Sequence, residues 1–231
     1  MKMTNSSKSL AFSLIELFVI AAFLAFLGLF VLLAVARSRA RSSRINCVNN
    51  LKQIGLSFRT WALDNQDKYP MQVAVTNGGT MEFVNSGPAF VHFLVMSNEL
   101  STPKILICPN EPDSNRNNAT TFSQSASLPQ GQIAFANDNY LSYFVGVDAN
   151  QALPGAFLSG DRNLAIDRVP TRRGMQRVWT NSNLSWFAPR PAHNGGGNVG
   201  LADGSVQCLS DGGLPILLSQ TGMATNRLVM P

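Results

Sequence analysis

The sequence predicts an α+β fold in which one long N-terminal α-helix packs against a mainly antiparallel β-sheet head. Three observations lead to this fold class. Residues 17–36 form an uncharged apolar run, and an apolar stripe at helical spacing continues beyond it. No proline interrupts residues 12–69, so nothing forces this helix to end. The remaining chain is rich in Asn, Ser, Gly and Pro, and its short apolar runs are bounded by turn residues, as in β-rich domains.

The apolar run has the length of a membrane-spanning helix. At about 1.5 Å per residue, some 20 residues cover the thickness of a bilayer's hydrocarbon core. We therefore predict a transmembrane helix over residues 12–36. Glu16 lies at its start, where a carboxylate is costly, so we expect this side chain to have a function. The alternative is that Glu16 only extends toward the lipid headgroups.

The helix is predicted to continue as an amphipathic extension over residues 37–66. Small and apolar residues recur there at spacings of three and four, which places them on one face of a helix. They are Val48, Leu51, Gly55, Phe58 and Ala62. A single helix from Ser13 to Leu63 is expected, followed by the helix-ending Tyr69-Pro70 pair.

Residues 67–231 are predicted to form a β-rich extracytoplasmic head. Tyr140–Val147 is the clearest strand, and Asp203-Gly204 between two apolar runs predicts a tight hairpin with a type I′ turn. The other expected elements are a hairpin over Met71–Val75 and Met81–Val84, a short helix over Ala89–Met96, strands at Ile105–Cys108, Ala156–Ser159 and Arg177–Thr180, and a helical turn at Leu214–Ser219.

Two processing signals compete for the N-terminus. A secretory signal peptide would use Lys2 and Lys8 as its basic region and Ala34-Val35-Ala36 as its cleavage site, but the apolar run is longer than usual and opens with Glu16. The alternative is a prepilin signal. The segment Phe12-Ser13-Leu14-Ile15-Glu16 closely resembles the start of type IV pilins and type II secretion pseudopilins.

The pilin resemblance implies a maturation and an assembly step. Residues 1–11 would be a leader that prepilin peptidase removes after Ala11, with methylation of the new Phe12 amine. Glu16 would pair with the Phe12 amine of a neighbouring pilin or pseudopilin subunit. The chain departs from the usual pattern in having Ala11 in place of Gly and Ser13 in place of Thr.

A second resemblance is to a large group of pseudopilin-like proteins from planctomycete and verrucomicrobial lineages. It rests on the segment Cys47–Leu56, on Cys108-Pro109, and on His193 followed by nine residues and Asp203-Gly204. The resemblance implies architecture more than activity. His193 and Asp203 could belong to a hydrolase triad, but no G-x-S-x-G motif accompanies them. We favour a structural role for His193, Asp203 and Gly204 and expect no enzyme.

The three cysteines are Cys47, Cys108 and Cys208. A Cys47–Cys108 disulfide would tie the first helix to the head, and the alternative is buried free thiols. No C-x-x-C spacing is present, so no zinc site is predicted. Calcium is the candidate cofactor, because carboxylate and amide oxygens recur in loops, although without the spacing of a calcium-binding loop. These residues are Asp161, Asn163, Asp167, Asp203 and Asp211.

The basic excess lies beside the predicted membrane span. The net charge is +5, and Arg37, Arg39, Arg41 and Arg44 follow the apolar run. This position favours contact with inner-membrane lipid headgroups over nucleic-acid binding. The positive-inside rule alone would place the C-terminal side in the cytoplasm, whereas the prepilin signal places the head in the periplasm.

These observations predict a single-pass inner-membrane protein with a periplasmic head. The function implied by the resemblance is that of a subunit or accessory subunit of a type II secretion pseudopilus or type IV pilus-like fibre. The alternative is a membrane-tethered binding module that never polymerises. Trp179 and Trp186 would suit the binding site of such a head, although core packing is the preferred assumption for both.

Overall fold

The computed structural model describes residues 14–111, 113, 115–187, 193 and 195–231. The predicted leader (residues 1–11), its cleavage residue Ala11 and the methylation residue Phe12 lie outside the described residues. The chain divides into two compact units, one ending at Ser42 and one from Ser43 to Pro231. Helix α1 (Leu14–Leu63) contributes residues to both units and is 50 residues long, as the uninterrupted helical pattern predicts.

The first unit carries the apolar half of α1. Leu14–Val35 is 22 residues long with a mean hydropathy of 3.0, and none of it is buried. A helix of this length and composition is able to cross a bilayer. The structure is therefore compatible with single-pass membrane anchoring.

The second unit contains a six-stranded sheet within the described residues. Its spatial order is β5-β9-β1-β2-β7-β8, and every neighbouring pair is antiparallel. The strands are β1 (Tyr143–Gly146), β2 (Phe157–Asp161), β5 (Gly174–Trp179), β7 (Gly196–Leu201), β8 (Val206–Ser210) and β9 (Thr225–Met230). A second sheet, in the order β4-β3-β6, consists of β3 (Leu164–Ile166), β4 (Val169–Pro170) and β6 (Leu184–Trp186).

Both faces of the six-stranded sheet are covered. Tyr143 and Val145 belong to the same buried cluster as Cys47, Leu51 and other residues on the inner face of α1. The intervening Phe144 belongs to a second cluster with residues of β3, β6 and a short C-terminal helix. Since successive side chains of a strand point to opposite faces, α1 covers one face and the small sheet with this helix covers the other.

Three short helices accompany the sheets: α2 (Phe90–Leu94), α3 (Ser97–Leu100) and α4 (Gly213–Ser219). Helices α2 and α4 confirm the helical predictions for residues 89–96 and 214–219. The predicted hairpin over residues 71–84 is wrong, because this segment forms 3₁₀ turns at Pro70–Gln72, Val75–Asn77 and Met81–Phe83. The predicted strand at Ile105–Cys108 is also wrong, because Pro103 starts a 3₁₀ turn that runs to Leu106.

The predicted strands at residues 140–147, 156–159 and 177–180 are confirmed as β1, β2 and β5 with shifted ends. The hairpin around Asp203-Gly204 is confirmed as β7–β8. Its turn is not type I′, because that turn needs a positive φ at both central residues, and of the pair only Gly204 has one (φ 87°). The Leu201 amide donates to the Ser205 carbonyl, which closes a longer turn.

Candidate functional site

The membrane-compatible segment has one charged residue. Glu16 lies in the first turn of α1 and is the only Asp, Glu, Lys or Arg between Leu14 and Val35. A helix N-terminus favours a negative charge, so this position suits a carboxylate. The proposed partner group, the amine of Phe12, lies outside the described residues.

The outer face of α1 in the second unit carries exposed apolar side chains. Ile45, Leu56 and Leu63 are 52%, 65% and 74% exposed. Their spacings of eleven and seven residues place them within about 20° of one another around a helix with 3.6 residues per turn. The opposite face of this part of α1 is buried in the head. Three large apolar residues therefore lie on the side of α1 that faces away from the head, with the exposed Lys52 between Ile45 and Leu56 on the same side. We call Ile45, Leu56 and Leu63 the outer apolar line.

The Cys47–Cys108 disulfide links α1 to the head. Both cysteines are buried, and their Cα atoms lie 5.4 Å apart. Cys108 follows the 3₁₀ turn at Pro103–Leu106, so the bond fixes this segment against α1. Cys208, the third cysteine, is free and exposed on β8.

His193 lies against this disulfide. Its Nε2 atom is 3.5 Å from Sγ of Cys108 and 3.4 Å from Oδ2 of Asp161, at the end of β2. Both neighbours are acceptors, so Nε2 carries the ring proton. The same Asp161 oxygen accepts hydrogen bonds from the backbone amide and side-chain amide of Asn198, at 2.7 Å and 3.0 Å. We call Cys47, Cys108, Asp161 and His193 the buried cluster.

The carboxylate partner of His193 is Asp161, and Asp203 has a different role. Oδ1 of Asp203 accepts a hydrogen bond from the backbone amide of Ser205 at 2.8 Å, which stabilises the β7–β8 turn. The Asp203 carbonyl accepts one from Nη1 of Arg59 on α1 at 3.0 Å. The triad in which Asp203 orients His193 is therefore not the arrangement found here.

Gly204 lies where the turn meets α1. Its φ of 87° falls in the left-handed region that favours glycine. A methyl group on Gly55 of α1 would lie 3.6 Å from Cα of Gly204, so the helix and the turn are in close contact. The buried hydroxyl of Tyr69 donates a hydrogen bond to the neighbouring Ala202 carbonyl at 2.9 Å.

The spacing between His193 and Asp203 now has a structural explanation. Strand β7 lies between them, and each end of the motif holds one end of that strand. At one end His193 contacts Cys108, which is bonded to Cys47 of α1. At the other end Asp203 contacts Arg59 of α1. Nine intervening residues are what one strand and its flanking loop residues require.

The candidate calcium ligands do not converge within the part of the chain that the structure describes. Asp161 belongs to the buried cluster, and Asp203 stabilises its hairpin turn. Asp167 accepts a hydrogen bond from the Asn183 amide, and Asp211 accepts one from the Trp186 amide. Each of these aspartates holds local backbone in place.

The two tryptophans assigned to a binding head differ in exposure. Trp179 at the end of β5 is 54% exposed. Trp186 is buried, and a methyl group on Gly197 would lie 2.5 Å from its ring, so it packs on the backbone of β7. Core packing, the preferred assumption for both tryptophans, is confirmed for Trp186, whereas Trp179 is exposed.

The sequence did not indicate a metal site, yet the structure assembles metal-binding groups. Sγ of Cys47, Sγ of Cys108 and a ring nitrogen of His193 all lie within 4.8 Å of one another, and all three residues are buried. The hydroxyl of Tyr143 lies close enough to Asp161 to respond to its charge. Burial raises the pKa of Tyr143 well above its usual value, and the charge of Asp161 raises it further. These residues are far apart in the sequence, so spacing alone could not reveal the cluster.

The chain was also compared with known proteins. No family model, curated protein or solved structure matches it.

Proposed function

We propose that this chain is a prepilin-like subunit or accessory subunit of a type II secretion pseudopilus or type IV pilus-like fibre. In this proposal prepilin peptidase cleaves after Ala11, the amine of Phe12 is methylated, and the mature helix anchors the protein in the inner membrane with its head in the periplasm. The observation that carries the proposal is the outer apolar line of Ile45, Leu56 and Leu63.

The outer apolar line offers a contact surface to the helix of a second copy. The part of α1 that lies beyond the apolar span has one face buried in the head, and its other face would normally be polar. Burying one exposed Leu or Ile side chain stabilises an assembly by about 1.5–3 kcal/mol. Three such residues on each subunit would supply several kcal/mol when the helices of neighbouring copies pack together.

Glu16 would set the register of this packing. Inside an apolar helix bundle a carboxylate needs a cationic partner, and the Phe12 amine of the next subunit supplies one. The burial of apolar side chains drives association, and the ion pair selects one arrangement, since desolvation offsets much of its attraction.

Cysteine cross-linking in cells tests the assembly directly. The variant Leu56→Cys, in a Cys208→Ser background, places a thiol on the outer apolar line. Each chain then carries one free thiol, so a bismaleimide should give cross-linked dimers. The matched control is Gln207→Cys in the same background, on the exposed strand β8, which should stay mainly monomeric. Equal oligomer yields from the two variants, or monomers alone from Leu56→Cys, would refute the assigned surface.

The role of Glu16 is tested in the same background. Glu16→Ala should leave processing intact but remove the oligomers. Mass spectrometry of the mature N-terminus should give N-methyl-Phe12, whereas a mature N-terminus at Arg37 would show a secretory signal peptide.

A membrane-tethered binding module is the second candidate. The exposed Trp179 at the end of edge strand β5 favours it, because an amphipathic aromatic ring at a strand end suits contact with a glycan or another surface ligand. This candidate predicts a processed, anchored monomer that gives no oligomers in the cross-linking experiment.

A further inference from the structure

The buried cluster has the donor set of a metal centre. Cys47 comes from α1, Cys108 from the segment after a 3₁₀ turn, Asp161 from β2 and His193 from the residues before β7. All four side chains are at least nine-tenths buried. Two cysteines, one histidine and one carboxylate form a ligand set that suits Zn²⁺.

Two distances within the cluster match edges of a zinc tetrahedron. Zinc bonds of roughly 2.3 Å to sulfur and 2.0–2.2 Å to nitrogen or oxygen place a sulfur and a nitrogen ligand about 3.5 Å apart, and a nitrogen and an oxygen ligand about 3.4 Å apart. The structure has 3.5 Å between Cys108 Sγ and His193 Nε2, and 3.4 Å between His193 Nε2 and Asp161 Oδ2. The two edges that meet at Nε2 of His193 are therefore already at coordination spacing. The Asp161 carboxylate lies outside the group whose ligand atoms are all within 4.8 Å of one another, so it has to move toward the cysteine sulfurs to complete the site.

Two buried polar atoms of the cluster are unsatisfied. Among the described residues, neither Oδ1 of Asp161 nor Nδ1 of His193 has a hydrogen-bond partner. An unpaired oxygen on a buried carboxylate is costly, and a bound cation would compensate its charge. This observation is independent of the sulfur positions. It concerns Oδ1 and Nδ1, so it indicates an uncompensated charge on the cluster and does not mark the position of the metal.

We propose that this cluster binds one Zn²⁺ when the Cys47–Cys108 disulfide is reduced. The ligands are the two cysteine thiolates, Nε2 of His193 and the carboxylate of Asp161. In the disulfide form the sulfur atoms are bonded to each other and cannot act as thiolate ligands. Rotation of the cysteine side chains after reduction separates the sulfurs to the roughly 3.8 Å that two zinc-bound thiolates require.

Reduction of the disulfide precedes metal binding. A dithiol reductant gives two electrons and two protons to the disulfide and becomes a disulfide itself, leaving two protein thiols. Zn²⁺ then displaces both thiol protons, and the ring proton of His193 moves from Nε2 to Nδ1 so that Nε2 can bind the metal.

A route to the cluster exists in the head. A cavity of about 600 Å³ reaches Cys108 and is also lined by Asn50, Glu111 and Asp113. Lys104 and Arg116 line it as well, so its wall carries charges of both signs, and its volume admits a small reductant. The disulfide and the zinc centre would each hold α1 against the head, so the attachment would survive a change of redox conditions.

Zinc uptake by the full chain in detergent tests the proposal. Protein reduced with a phosphine that binds zinc weakly is equilibrated with Zn²⁺, freed of excess metal and analysed for zinc content. We expect one Zn²⁺ per reduced chain and none per oxidised chain. Cys208→Ser, which removes the exposed thiol outside the cluster, should leave this uptake unchanged, whereas the Cys47→Ser, Cys108→Ser double variant should lose it.

Cobalt substitution identifies the ligands. Reduced protein with Co²⁺ should show the strong visible absorption of a tetrahedral site and a sulfur-to-metal charge-transfer band. His193→Ala should weaken binding by at least tenfold, which is the scale of even indirect perturbations of metal sites, and should alter this spectrum. Circular dichroism of each variant separates lost ligands from lost folding.

Absence of zinc from the reduced, folded wild-type chain would overturn the proposal. So would an unchanged cobalt spectrum in folded His193→Ala. Both measurements use the isolated chain, so their outcome is independent of whether the protein forms fibres.

Discussion

Removing the Cys47–Cys108 disulfide should strongly destabilise the head. The bond joins residues separated by 61 positions, and the chain-entropy relation gives about 4 kcal/mol for closing a loop of this length in the unfolded chain. The Cys47→Ala, Cys108→Ala double variant should therefore unfold at a urea concentration about 2 M lower, taking a typical slope of about 2 kcal/mol per M.

The assay is urea unfolding of the full chain in detergent, followed by tryptophan fluorescence, with a chelator present to exclude metal binding. Reduction of the wild-type protein should reproduce the loss without shortening any side chain. Cys208→Ala is the matched control, because this exposed cysteine lies outside the disulfide, and it should change stability by less than about 0.5 kcal/mol. A loss below 1 kcal/mol in the double variant would refute the reasoning that this bond holds α1 to the head.

Three further predictions concern the head. Burial lowers the pKa of His92 to about 4 from its usual 6.5, so the folded state resists protonation, and stability should fall by about 3 kcal/mol as the pH drops from 6.5 to 4. Tyr69→Phe should cost about 1–3 kcal/mol, because it leaves the buried Ala202 carbonyl unpaired. Gly146→Ala should cost about 3 kcal/mol or prevent folding, because the added methyl would overlap the Phe157 carbonyl oxygen across the β1–β2 pair. Denaturant unfolding measures all three.

Each of these predictions has its own control. His92→Gln should remove the loss of stability between pH 6.5 and 4, and an unchanged pH profile would show that another group is responsible. A neutral Tyr69→Phe would mean that the Ala202 carbonyl finds another donor. Gly212→Ala, where nothing lies within 4 Å of the added methyl, should be nearly neutral, and equal losses at Gly146 and Gly212 would contradict the steric argument.

The parts of the fold that local patterns determine were predictable. The long apolar run and the apolar stripe beyond it are sufficient to predict α1, and the Asp203-Gly204 pair between apolar runs is sufficient to predict the β7–β8 hairpin. The hairpin that the sequence predicted over residues 71–84 does not form. The backbone amides of Thr80 and Met81 donate hydrogen bonds to the carbonyls of Pro70 and Val73. Gly78 ends one of the 3₁₀ turns between them and does not lie at the tip of a hairpin.

Strand β9 was missed because its sequence lacks a clear strand pattern. It contains Asn226 and Arg227, which are polar residues in an interior strand. Asn226 is buried, and the Arg227 guanidinium pairs with Asp148 at 2.6 Å. The partner of Arg227, Asp148, is 79 residues away, so no window of local sequence contains the pair. The Asn226 side-chain amide donates to the nearby Thr221 hydroxyl, and its Oδ1 has no hydrogen-bond partner among the described residues.

The buried cluster could be predicted only in part. The resemblance drew attention to His193, and the Cys47–Cys108 pair was one of two alternatives for these cysteines. The partner Asp161 was not identifiable, because several aspartates were equally plausible and the choice depends on which strand lies beside β7. In the sheet β2 pairs with β7, and this pairing brings Asp161 to Asn198 and His193.

The position of β9 constrains when the head can form. The strand nearest the C-terminal end of the chain lies between β5 and β1, in the interior of the sheet. Until residues 225–230 have been synthesised, β5 has no neighbour to pair with and β1 has an open edge. The sheet is therefore completed only when β9 emerges. A chain threaded N-terminus first keeps β5 without its strand partner until residues 225–230 follow, so this part of the sheet is still open while those residues pass a narrow translocation channel.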